Sequence, residues 1–180
     1  KDGFDRTDPA LLKMLLLAYR DKGSDQEPLD KLLQVAPVVP VSVSYELDPC
    51  GPSKAHELAT VDLSGSYQKS PHEDLKSMVQ GLMGPKGRVR LCFGQPITQA
   101  SSLEDLAAQL DQSIVANTRL YPTHRYAKSV LEGQSVQDLL NSPSVRALAA
   151  QLNELPEGER PYLLKQYANV WRNREELGIT

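Results

Sequence analysis

A chain of 180 residues, 40% apolar and 24% charged, has the length and composition of one globular domain with a substantial core. Its formal net charge of −3 leaves no basic footprint, which sets nucleic acid aside as a partner. Two cysteines, Cys50 and Cys92, do not make a disulfide framework and fit a reducing compartment.

No run reaches the roughly 18 apolar residues of a spanning helix, and no signal peptide precedes the first element. The chain opens on Lys1 without Met, in a polar run that reads as lying downstream of a further segment. Residues 1–8 are a charged loop. Asp8 is a good N-cap, and Pro9 follows at the favoured first helical position. The helix it starts is expected to run to about residue 20. Leu11, Leu12, Leu15, Leu16 and Tyr19 share a face, and Met14, Leu17 and Ala18 widen it. That predicts a helix buried on most sides. Only Lys13 and Arg20 are basic within it, which favours a core role over a membrane contact. Residues 21–28 read as a polar loop and 29–35 as a short helix.

The central stretch is residues 36–46. Val39, Val41, Val43 and Tyr45 alternate, with Val38, Pro40, Ser42 and Ser44 on the other face, and this period of two predicts a strand. Its two faces suit a sheet covered on both sides. Pro37 and Pro40 place its first half at an edge or at a loop entry. Residues 53–60 are a short predicted helix and 62–69 a loop. Cys50 stands just before that helix, with His56 as the one local base. A loop cysteine beside a surface histidine is favoured there over a nucleophile.

Ser70-Pro71-His72-Glu73 has the form of a capping box with Pro at the first helical position. Leu75, Met78, Val79, Leu82 and Met83 form the apolar face of the helix behind it, and Gly84-Pro85 ends it. A second strand covers residues 88–93. Val89, Leu91 and Phe93 point one way, Arg88, Arg90 and Cys92 the other. The two arginines are candidate anion ligands, against the plainer role of a solvated face. Ser102 caps a helix to about residue 120, with Leu103, Leu106, Ala107, Leu110 and Ile114 as its stripe. Helices are expected over 126–131, 136–140, 145–155 and 162–177, with Trp171, Tyr167 and Leu164 packing the tail down.

The histidines, His56, His72 and His124, stand in separate contexts without metal-ligand spacing. The sequence has no Gly-x-Ser-x-Gly elbow, no Gly-rich phosphate loop and no His-x4-Asp pair. Residue types alone therefore offer no self-contained catalytic set.

Four segments together resemble the bacterial phospholipid/glycerol acyltransferase family, in the carboxyl half of its domain. They are Lys1-Asp2-Gly3-Phe4-Asp5-Arg6-Thr7-Asp8-Pro9-Ala10-Leu11-Leu12-Lys13-Met14, Val38-Val39-Pro40-Val41 with its continuation to Cys50, the run from Gly81 through Pro85-Lys86-Gly87-Arg88-Val89-Arg90 into Phe93-Gly94-Gln95-Pro96-Ile97, and Asn117-Thr118-Arg119-Leu120-Tyr121-Pro122. The resemblance covers about residues 1–126. It implies an α/β fold, part of a mixed sheet flanked by helices, with a helical carboxyl-terminal annex over 127–180.

It also implies an acyltransferase of phospholipid biosynthesis. Such an enzyme moves an acyl chain from acyl-CoA or acyl carrier protein to a phosphorylated glycerol or lysophospholipid acceptor. No metal or organic cofactor is required. The family's base pair and arginine block match nothing in this chain. The Val38 to Val41 segment matches a block, with Pro40 at its centre, that shapes the pocket. Arg6 is then expected near the acceptor phosphate, with Lys86, Arg88 and Arg90 as further substrate contacts. Val39, Val41, Leu15 and Leu16 would line an acyl tunnel. The implied location is cytoplasmic, with a peripheral contact to the inner membrane. A reading of another class is a non-catalytic α/β module that binds a lipid or a protein.

Overall fold

The computed structural model describes residues 6–19 and 26–179. Residues 1–5, where the resemblance to the acyltransferases begins, lie outside them. The fold is a mixed α/β arrangement in which helices predominate around one small sheet.

Helix α1 spans Pro9–Lys13, capped by Asp8, whose carboxylate accepts the Ala10 N–H at 2.8 Å. The chain then tightens into a 3₁₀ turn, Met14–Tyr19. This corrects the expectation of one helix buried on most sides. Three residues per turn break the α-helical stripe. Leu12 and Leu16 are buried, whereas Leu11, Met14, Leu15 and Leu17 are exposed. Helix α2, Gln26–Val35, turns Leu29, Leu32 and Leu33 onto the same core.

Strand β1, Val41–Tyr45, pairs antiparallel with β2, Val89–Phe93. The register sets Val41 opposite Phe93, Val43 opposite Leu91 and Tyr45 opposite Val89. Opposed residues share a face, so six apolar side chains stand together in three cross-strand pairs. That face points outward: Leu91 is 55% exposed and Phe93 66%. The small polar face is the buried one. Ser42 Oγ lies 3.0 Å from Thr118 Oγ1, and Ser44 Oγ accepts the Arg119 N–H at 2.8 Å. A sheet covered on both faces is therefore not what forms. Hydroxyls that satisfy one another and the backbone let the polar face go inward without penalty.

Helix α3, Gly51–Ser64, is longer than its pattern predicted and ends at Gly65, whose φ of 78° suits glycine. Helix α4 spans Glu73–Met83. Glu73 reaches back to the Ser70 N–H at 2.8 Å, so half of the capping box forms, but Pro71 lies ahead of the helix. No residue of α4 is buried, and Leu75, Met78, Val79, Leu82 and Met83 are exposed. The helix is moored instead by Gln80 Nε2, which donates to the Pro49 carbonyl at 2.6 Å, and by a close approach at Gly84. A Cβ at Gly84 would come within 2.5 Å of Pro49 Cβ and 2.7 Å of the Gln80 carbonyl oxygen. Gly84→Ala should therefore destabilise by about 1–3 kcal/mol, the range for overpacking. A denaturation midpoint unchanged from wild type would show that Pro49 and α4 separate freely.

Helix α5, Leu103–Asn117, starts at Ser102, whose Oγ accepts the Asp105 N–H at 3.1 Å. Its Leu106, Ala107 and Leu110 close the core over α1 and α2. Helices α6 (Pro122–Leu131), α7 (Pro143–Glu154) and α8 (Arg160–Glu176) follow, with a 3₁₀ turn at Gln137–Asn141. The second core joins Leu47 and Ala55 to Val145, Leu148, Leu163 and Tyr167. It therefore draws on residues from both sides of position 126. Trp171 is half-buried, with Lys128 Nζ 5.2 Å from its ring centroid.

Candidate functional site

A groove runs along β1 between α5 and α8. It consists of two cavities that meet at Val43, Thr118 and Val170. The first, about 380 Å³, adds Arg6, Thr7, Asp111 and Asn173. The second, about 320 Å³, adds Asp48, Lys54, His124, Gln166 and Tyr167.

The first cavity is fixed by polar contacts across the chain. Thr7 donates to Asp111 Oδ1 from its N–H at 3.0 Å and from its hydroxyl at 2.7 Å. Arg6 donates to Asn173 Oδ1 at 2.9 Å and pairs with Glu176 Oε2 at 3.4 Å. The expected phosphate ligand is thus held by α8.

The second cavity is built on buried polar groups. His124 is 5% exposed, and its Nδ1 accepts the Tyr121 N–H at 3.1 Å at the start of α6. The ring proton therefore sits on Nε2, from which it is shared with the Tyr45 carbonyl. Burial lowers its pKa to about 4, against the lesser opposing pull of Tyr45 and Glu46. Tyr167 is 4% exposed, and burial pushes its hydroxyl pKa up. Its oxygen accepts the Asp48 N–H at 2.8 Å. Lys54 Nζ pairs with Asp48 Oδ2 at 2.7 Å. Gln166 donates through Nε2 to the Gly51 carbonyl at 3.3 Å, while its buried Oε1 has no hydrogen-bond partner among the described residues.

Beside the groove lies a buried carboxylate. Glu46 takes Arg88 Nε at 3.0 Å, Arg88 Nη2 at 2.8 Å, the Arg88 N–H at 2.9 Å and Ser144 Oγ at 2.7 Å. The Arg88 side-chain bonds hold its pKa down at about 2, although burial works against them. This joins the end of β1 to β2 and to α7.

The expected substrate contacts do not converge. Arg88 is committed to Glu46 and lies 5.3 Å from the Tyr121 ring centroid. Lys86 Nζ donates to the Leu82 and Gly84 carbonyls, where it caps α4. Arg90 is exposed, and Pro40 is buried, with its carbonyl accepting the Gly94 N–H at 2.8 Å. Cys50 and His56 are not brought together either: Cys50 Sγ donates to the Ser77 carbonyl at 3.4 Å, and His56 Nδ1 lies 2.8 Å from Glu159 Oε1. Among the described residues no group of three or more metal-ligating side chains occurs.

Ser44, Glu46, Gln166 and Tyr167 are the site groups that periodicity hid. Ser44 and Glu46 continue the even face of β1, which alternation assigned only to a sheet covered on both sides. Gln166 and Tyr167 fall within the predicted last helix, one of them marked only for packing.

The chain is 35% identical over 75 residues to a cytidylate kinase of Azotobacter vinelandii (strain DJ / ATCC BAA-1303). The match covers 42% of this chain and 31% of the kinase, so the chain spans about a third of the length of that curated relative. No family model matches, and no solved structure matches.

These findings overturn the acyltransferase assignment and its place in phospholipid biosynthesis. The likeness is to a nucleotide kinase, and no acyltransferase family is supported. The tunnel implied for an acyl chain does not form: Val39, Val41 and Leu15 are exposed, and Leu16 is closed into the core. No helix among the described residues is long and apolar enough to cross a membrane.

Proposed function

We propose that this chain is part of an enzyme of the nucleotide-kinase kind, and that it meets its nucleotide in the groove along β1. The observation that carries this reading is the 35% identity to a cytidylate kinase over 75 residues. The groove supports it, as a concave site with apolar walls and a few convergent polar groups suits a small phosphorylated molecule. Phosphoryl transfer depends on positioning and charge more than on covalent chemistry by the protein. The sequence has no Gly-x-x-x-x-Gly-Lys-Ser/Thr loop. The share proposed for this chain is therefore nucleotide binding, not the cradle of the transferred phosphate. Titration calorimetry with CMP should give a saturable heat. The absence of saturable CMP binding by the folded chain would overturn the reading.

A second reading, a non-catalytic module that binds another protein, is favoured by one observation: the outward apolar face of β1 and β2. Surfaces of that kind mark interaction sites. Leu91→Asp combined with Phe93→Asp should then lower association measured by light scattering while the melting temperature holds. Unchanged association would remove self-association through this face.

A further inference from the structure

The ladder between β1 and β2 fixes which way each backbone group of the sheet points. Glu46 N–H donates to the Arg88 carbonyl at 3.0 Å, and Gly94 N–H donates to the Pro40 carbonyl at 2.8 Å. In an antiparallel pair such bonds recur at every second residue. With Ser42 opposite Cys92 and Ser44 opposite Arg90, the even-numbered residues of both strands carry them. The N–H and carbonyl groups of Val89, Leu91 and Phe93 therefore point away from β1, along the outer edge of β2. The sheet ends there, and among the described residues these groups have no hydrogen-bond partner.

Edge strands are commonly guarded by Pro, Lys or a bulge. Val89–Phe93 contains neither Pro nor Lys, and its register on β1 runs without a bulge. Val89, Leu91 and Phe93 are all exposed. The outer edge of β1 is different. Val43 lines the groove with Thr118 and Val170, and the Tyr45 carbonyl is taken by His124.

A row of backbone donors and acceptors repeating every second residue is matched by another extended backbone. Strand β2 matches itself. Two copies laid antiparallel, with Leu91 on a twofold axis, set Val89 opposite Phe93 of the second copy and Phe93 opposite its Val89. Every outward group then pairs, with two bonds exchanged at each opposed position. A register shifted by one residue sets Leu91 against Arg90 or Cys92, whose backbone groups already serve β1. One shifted by two leaves part of the edge unpaired. In the symmetric register the apolar side chains meet as Val–Phe and Leu–Leu pairs. On the other face Arg90 comes opposite Cys92 of the second copy, so the two arginines are not set directly against each other. The sheet of two strands becomes one of four, and a sheet with an apolar face needs about three or more strands to be stable.

We infer that two copies of this chain associate edge to edge through β2, forming one continuous antiparallel sheet. This association rests on the reading of β1 and β2 as a protein-binding surface. The partner is a second copy, and the contact is the outer edge of β2.

Amide hydrogen exchange of the whole chain, read by NMR over a concentration series with sedimentation equilibrium alongside, tests the contact. The Arg90 and Cys92 amides, bonded to β1, should be protected at every concentration. The Leu91 and Phe93 amides should exchange freely in the monomer and at least about ten-fold more slowly in the dimer. Leu91→Pro removes an N–H that β1 does not use, at a place where an edge strand tolerates proline. It should weaken the dimer at least about ten-fold, because a bond is lost from each copy. Leu91→Thr keeps the N–H and should weaken it less. Should Leu91→Pro lose protection at Arg90 and Cys92, its ladder is broken and the wild-type exchange of Leu91 and Phe93 decides. A dimer whose Leu91 and Phe93 amides stay unprotected, or which a folded Leu91→Pro leaves intact, overturns the edge contact. A chain that stays monomeric throughout the series overturns self-association and leaves the surface to a different protein.

Discussion

Acidification from pH 7 to pH 4 should remove about 3 kcal/mol of folding stability through His124 alone. The ring is 5% exposed, and its pKa falls from 6.5 to about 4 on folding. Between those values the unfolded chain binds a proton that the folded chain refuses. Stability contributed by the neutral ring is therefore fully present above pH 6.5, declines as the pH falls, and levels off below about 4. The cause is structural. Nδ1 accepts from Tyr121, and the Tyr45 carbonyl takes the other ring proton, so a second proton has nowhere to go without breaking the start of α6. Urea denaturation at pH 7, 5.5 and 4 measures the loss. His124→Gln cannot titrate, and should flatten the curve between pH 6.5 and 4 even if it costs stability at pH 7. A slope in that window equal to wild type would assign the acid sensitivity to another group.

The same residue shows how far the sequence could be read. His124 follows Tyr121-Pro122, and the helix start was legible from Pro; the inward turn of the ring was not. Helix periodicity located α5 through Leu106, Ala107 and Leu110, and both strands followed from alternation. Alternation cannot say which face goes inward, however. For β1 and β2 the apolar face went outward, because Ser42, Ser44 and Glu46 find partners in Thr118, Arg119, Arg88 and Ser144. Those partners lie 40 to 100 positions away along the chain, a separation that no local pattern reports. The arginine pair illustrates the same limit. Arg88 and Arg90 share a strand face, yet one is taken by Glu46 and the other is exposed. In α4 the stripe was read correctly as amphipathic, but its apolar side has no cover among the described residues. Segment resemblance failed for a related reason. Short Val-, Pro- and Gly-rich runs recur wherever a strand meets a turn, so their order misled the functional assignment while their structural content held.

Removing Arg88 should destabilise the chain more than neutralising Glu46, although both changes break the same ion pair. Glu46 has a side chain 6% exposed and Arg88 one 65% exposed. In Glu46→Gln the guanidinium returns to water, and the amide keeps hydrogen-bonding capacity toward Ser144 and the Arg88 N–H. That loss should be about 2 kcal/mol, below the full cost of a severed buried pair, because solvent screens the exposed partner. In Arg88→Leu the carboxylate stays buried with only Ser144 Oγ and a backbone N–H. The cost at pH 7 should exceed that of Glu46→Gln, because a buried carboxylate is left without its cation. Linkage then separates the two variants. In the wild type, Arg88 holds the Glu46 pKa at about 2, below its ordinary 4.5. The stability this gives is present above pH 4.5 and is lost as the pH falls through 2. Without the Arg88 side chain the carboxyl is held down less, by Ser144 Oγ and the Arg88 N–H against burial, so less stability is lost on acidification and the gap to wild type narrows. Arg88→Leu should therefore lose less stability than wild type when both go from pH 7 to pH 4. Equal losses in the two proteins, measured by denaturant titration, would show that Glu46 is hydrated and that β1, β2 and α7 are not joined through it.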